Sequence, residues 1–139
     1  MGVNKGRVWL GGLVGGVVWT AWSYFIGAKL APHYAAATNA GLFLKAPRYS
    51  FFIGEWIAMV FILSILLAHL YVWVRPTLGP GLMTAFKIGA IVGFFAGFPG
   101  NFGQAAWSPV PRVLPLGWML DLWGGAILAT VVAGWLYKE

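Results

Sequence analysis

Polar residues in this chain are clustered, and the clusters separate four long apolar runs, at about residues 8–26, 51–74, 82–98 and 114–137. The second reads FFIGEWIAMVFILSILLAHLYVWV and holds one formal charge, Glu55. None of the runs shows the strict polar–apolar alternation of a barrel strand, which would need only about 10 residues to cross a bilayer. Each approaches or exceeds the roughly 20 residues a helix needs to cross the hydrocarbon. The pattern predicts an all-α polytopic membrane protein, a single transmembrane domain over residues 1–139 with four transmembrane helices. Lys5 and Arg7 precede the first run as they would in a signal peptide. That run continues to about Leu30 with Trp19, Trp22 and Tyr24 inside it, and three more follow, so a retained first helix is expected.

The links differ in kind. RPTLGPG, residues 75–81, has two prolines and two glycines, and predicts a tight antiparallel hairpin of the second and third spans. Residues 99–115 hold four prolines and read as irregular. Residues 33–45 are open to two readings. One is a short interfacial helix anchored by Tyr34, Leu42 and Phe43, the other an ordinary loop.

Glycine punctuates the spans. Gly89, Gly93 and Gly97 follow one another at intervals of four, as do Gly11 and Gly15, and Gly12 and Gly16. The spacing and the apolar context exclude a dinucleotide-binding fingerprint, which needs G-x-G-x-x-G at a strand-to-helix turn. In lipid, association must come from close backbone approach, which aligned glycines permit. The expected arrangement packs the first span against the third through these faces. Spans two and four also align, Glu55 on Asp121, Ser64 on Thr130 and Leu70-Tyr71 on Leu136-Tyr137, while Gly11 aligns with Gly89 and Gly15 with Gly93. This predicts two parallel helical-hairpin repeats about an axis along the membrane normal.

Composition changes the picture in two ways. Only 9% of residues are charged, too few to solvate the surface of a soluble domain. The net charge of +6 lies between or at the ends of the runs, so anionic lipids, not nucleic acid, are the expected partners. The absence of cysteine excludes disulfides, thiolate metal sites and cysteine nucleophiles. Basic residues divide almost evenly between the two sides. Lys5 and Arg7 favour a cytoplasmic N-terminus slightly, and an even number of spans puts both termini on one side.

The chemistry rests on a few polar residues. Glu55 and Asp121 lie inside apolar runs on the same membrane side. A carboxylate there faces protein or a wet cavity. It serves as an ion or proton site, as a structural partner of Arg48 or Arg112, or simply lies close enough to the interface to be wetted. Asn101 and Gln104, in GFPGNFGQ, are polar-pocket candidates if Pro99 and Gly100 break the helix. His69 is a candidate axial ligand or a helix-to-helix hydrogen-bonding group, and His33 falls across the membrane from it. No cluster with zinc-ligand character appears, so no metal is expected. Of the nine tryptophans, Trp9, Trp73, Trp118 and Trp135 suit an interfacial belt, whereas Trp19, Trp22, Trp56, Trp107 and Trp123 are not placed by that role.

The Arg75-Pro76-x-x-Gly79-Pro80-Gly81 turn and the Trp135-Leu136-Tyr137-Lys138 ending resemble those of small, uncharacterised four-span integral membrane proteins of bacteria. The resemblance implies four helices and a bacterial origin, with the inner membrane as the expected location, and brings no activity. Two functions fit the residues. The first is an accessory or structural membrane subunit, packing by its helices into a larger assembly or a homo-oligomer, with lipid, quinone or pigment in its grooves. The second is a small proton- or cation-coupled transporter or channel using Glu55 and Asp121. No catalytic set is expected.

Overall fold

Asn4 begins the first helix. Its Oδ1 accepts the Arg7 N–H at 3.2 Å, which satisfies one of the donors that a helix start leaves unpaired. From there the computed structural model, which describes residues 2–138, runs through four helices: α1 (Lys5–Asn39), α2 (Phe52–Leu78), α3 (Leu82–Trp107) and α4 (Val113–Leu136). All four are long and apolar enough to span a membrane. Leucine, isoleucine and phenylalanine side chains stay exposed along the flanks, among them Leu13, Ile62, Phe95 and Leu120, as a hydrocarbon solvent requires.

Two helices run further than the apolar pattern indicates. α1 has 35 residues, about 52 Å at 1.5 Å per residue, against a hydrocarbon thickness of about 30 Å. Residues 33–39 therefore continue α1 and form no separate interfacial helix. Residues 40–51 are turns and bends. Tyr34, Leu42 and Phe43 pack on protein, around Leu30, Ala37, Val110 and Leu114, in a second core at that end of the bundle. α3 continues through Pro99 and Gly100 to Trp107, so GFPGNFGQ is an unbroken helical segment. Proline costs α3 one backbone bond, and its neighbours hold the helix on either side.

The turn between α2 and α3 is tight, as its sequence predicts. Gly79 and Gly81 sit at φ +87° and +123°, with ψ of 158° and 173°, a region only glycine occupies readily. The Gly81 N–H also reaches the Tyr71 hydroxyl at 3.2 Å. Gly81→Ala is expected to lose about 1–3 kcal/mol, read as a lower unfolding midpoint in detergent. Gly54→Ala, helical and with open space where its Cβ would stand, is the control. A loss no greater than the control's would remove the argument from strain.

The glycine faces do pack closely, but not on each other. α1 and α3 make no contact among the described residues, because α4 lies between them. A Cβ at Gly11 would stand 3.0 Å from the Ala133 Cα, and one at Gly89 2.7 Å from the Ile127 Cα. Gly93 faces Trp123 and Ala126, and Gly97 faces Met119. α4 can serve both neighbours because it carries small residues on both sides: Ala129 and Ala133 toward α1, Ala126 toward α3. Gly12 and Gly16 meet α2 instead, at Ile65 and Phe61.

The two hairpins do not pack equivalently. α1 and α4 share a long seam, while the matching pair, α3 and α2, touch only sparsely. Gly15 faces Ser64, whereas its aligned counterpart Gly93 faces Ala126 and Trp123, about one turn from Thr130. The alignment of the spans thus does not extend to their contacts.

At the opposite end from the second core the chain closes on itself. The Asn4 N–H donates to the Tyr137 hydroxyl at 3.2 Å, and Asn4 Nδ2 to the Lys138 carbonyl at 3.2 Å. The first and last helices therefore start and finish side by side.

Candidate functional site

The seam between α1 and α4 carries most of the side-chain hydrogen bonds that link one helix to another, and tryptophan supplies much of it. Ser23 Oγ donates to Asp121 Oδ1 at 2.6 Å, and Trp19 Nε1 to the same oxygen at 3.4 Å. Trp22 Nε1 donates to the Leu120 carbonyl at 3.1 Å, and Trp118 Nε1 to the Tyr34 hydroxyl. On the other side of α4, Trp123 Nε1 donates to the Ala90 carbonyl of α3 at 3.1 Å. An indole N–H is a donor only, so each ring both fills the seam and pins it to a chosen oxygen. Trp118 is therefore an inter-helix clasp and not only a belt residue. Trp19, Trp22 and Trp123 gain the role that the belt did not give them.

Asp121 lies about two turns inside the start of α4 and is only 9% exposed. It borders a cavity of about 540 Å³. The residues of α2 and α3 that reach it come from the start of the one and the later part of the other, and α1 and α4 supply the rest. Ser23, Ile26, Leu30 and Tyr34 come from α1, Phe52 and Trp56 from α2, Asn101 from α3, and Trp118 with Asp121 from α4. The walls are chiefly aromatic and aliphatic, with a few converging polar atoms, which is the general form of a small-molecule site.

Both donors to Asp121 act on Oδ1, and Oδ2 takes no donor among the described residues. None of the lining residues is basic. Arg48 and Arg112 are exposed and are not what holds this carboxylate; Ser23 and Trp19 are.

The other polar residues separate from one another. Asn101 lines the cavity, and its Nδ2 donates to the Gly97 carbonyl at 2.7 Å. Gln104, one turn on, is exposed and outside it. Glu55 is exposed in the first turn of α2, where a negative charge stabilises the positive end of the helix dipole. It does not line the cavity beside Asp121. His69 turns back on its own helix, with Nδ1 2.8 Å from the Ile65 carbonyl, and sits edge-on to Trp9 and Trp73. No three of its own kind or of Asp and Glu gather around it or elsewhere among the described residues.

Fold and cavity together define a class: a multi-pass membrane protein of four helices with one carboxylate set in an apolar pocket. Comparison with protein-family models, with curated proteins and with solved structures finds no match for the chain.

Proposed function

We propose that this protein is an accessory binding subunit of a bacterial inner membrane, related to the small four-span proteins that its turn and ending resemble. It holds a small amphipathic molecule in the Asp121 cavity and packs through its lipid-facing helices into a larger assembly or against copies of itself. The observation that carries this reading is the cavity: about 540 Å³, apolar in its walls, with a single buried carboxylate at its floor. Binding needs no more than that. The termini lie on the cytoplasmic side in this reading, with Lys5 and Arg7 at the anionic lipid surface.

Transport is the second reading, favoured by the same carboxylate, since a carboxylate bordering a cavity can exchange a proton or a cation. It now rests on Asp121 alone, because Glu55 lies outside the cavity.

Native mass spectrometry of the particle extracted gently from its own membrane separates these. The expected result is a fixed stoichiometry with other subunits or copies, with a small molecule retained by the wild type. A lone chain that keeps no molecule and moves solutes in vesicles would overturn the accessory reading in favour of transport.

A further inference from the structure

The cavity has few polar groups, and one of them is a carboxylate. Several donors are already engaged, Ser23 Oγ on Asp121, Trp118 Nε1 on Tyr34, and Asn101 Nδ2 on the Gly97 carbonyl, while the Tyr34 hydroxyl and Trp56 Nε1 keep a proton to donate. Both donors to Asp121 act on Oδ1, and its Oδ2 takes none among the described residues. The Asn101 orientation follows from its partner, since only an amide nitrogen can donate to a carbonyl. The one formal charge on the walls is negative. Around it stand the rings of Tyr34, Phe52, Trp56 and Trp118.

An acidic lipid would bring negative charge against this carboxylate. A buried carboxylate without a cationic neighbour, ringed by aromatic faces, complements the opposite kind of molecule. Aromatic faces attract cations through the ring quadrupole, most strongly where water is excluded. Inorganic ions fit less well, because they require several converging oxygens and these walls are largely carbon.

On the reading that the cavity holds an amphipathic molecule, we infer that its ligand is a lipophilic organic cation, an ammonium or similar onium group on a hydrophobic body, with the charge at Asp121 and the body against Trp56 and Phe52. The onium group belongs either to a free molecule or to the headgroup of a choline or ethanolamine lipid.

The test uses the purified full chain in maltoside micelles and equilibrium dialysis against three probes of similar shape: tetraphenylphosphonium, tetraphenylborate and triphenylmethane, each corrected for empty micelles. Selective binding of the cation is expected. Asp121→Asn should weaken it about 10- to 100-fold, the loss of one charge-assisted interaction. Trp56→Leu, which leaves the Ser23 and Trp19 bonds to Asp121 in place, should weaken it about 2- to 30-fold. It serves as the second variant if Asp121→Asn proves unstable. Equal binding of all three probes, or cation binding indifferent to both variants, overturns the inference and leaves the cavity reading standing. Binding of none overturns both. With cation binding established, displacement by lysophosphatidylcholine but not lysophosphatidylglycerol assigns the onium group to a lipid headgroup, and indifference to both assigns it to a free molecule.

Discussion

Gly15→Val is expected to destabilise the bundle by about 3 kcal/mol, near the upper end of the overpacking range. The reason is that Gly15 is pressed from two sides. A Cβ there would stand 2.9 Å from the Ala129 carbonyl oxygen and 3.3 Å from the Ala129 Cα on α4, and would also meet Ser64 Oγ on α2. Two of the obstructing atoms are backbone, so no rotamer change relieves them. Ser64 is itself held, donating to the Gly12 carbonyl at 2.8 Å. Valine must therefore drive α1 away from both neighbours at once. In lipid no hydrophobic term compensates, since contact is what holds the helices together. Gly27→Val, on the same helix with open space at its Cβ, is the control. Unfolding midpoints in detergent decide the matter, and equal midpoints for the two variants would refute the account.

Trp19→Ala carries the second large effect. Trp19 is 1% exposed, its indole lies across Gly125, and it donates to Asp121. Large-to-small changes at such a site cost about 3–5 kcal/mol in water-soluble cores. Part of that figure is transfer from water, which a membrane-embedded ring does not undergo, while lost dispersion and the empty space remain. The lower end, about 3 kcal/mol, is expected. Trp19→Phe loses the N–H and about a third of the ring atoms but keeps an aromatic ring in the site, so it should fall between the two, about 1.5 kcal/mol below wild type. If phenylalanine proves as damaging as alanine, the hydrogen bond matters more than packing. If it is neutral, Ser23 alone holds the carboxylate.

These positions also show what could be read in advance. The four spans follow from apolar length alone, and the turn at residues 75–81 from its prolines and glycines. Helix ends were less legible. The tail of α1 is half polar, and it is helical because Ala37, Leu30 and Tyr34 have a second core to pack on. Glycine spacing identified the close-packing faces of α1 and α3 but not their partner. That partner was written in LWGGAILATVVAG, where small residues fall on both sides of α4. Two glycine faces can meet each other or share a third helix, and periodicity within each span is the same in both cases. The candidate site was half legible. A carboxylate among apolar residues marks Asp121, and the same rule marks Glu55. Only rotation and depth distinguish them, and these come from the packed bundle. The tryptophan donors were invisible for a related reason: an indole's partner is a carbonyl or carboxylate on another helix, about 100 residues away for Trp19 and Asp121.

The central place of α4 bears on how the molecule is made. Translation delivers the helices in chain order, so α1 and α2 can join as soon as both are in the membrane, through Gly12 on Ile65 and Gly16 on Phe61. α3 arrives next and finds little to hold. It has no contact with α1 and only a sparse one with α2, and Gly89, Gly93 and Gly97 stand bare to lipid. The half-made protein is thus a hairpin with a loose third helix. The last of the four to emerge is the one on which α1 and α3 both depend, and its arrival places Asp121 under Ser23 and forms the cavity floor. Without residues 113–136 the α1–α4 and α3–α4 contacts are lost together, and with them the Asp121 side of the cavity.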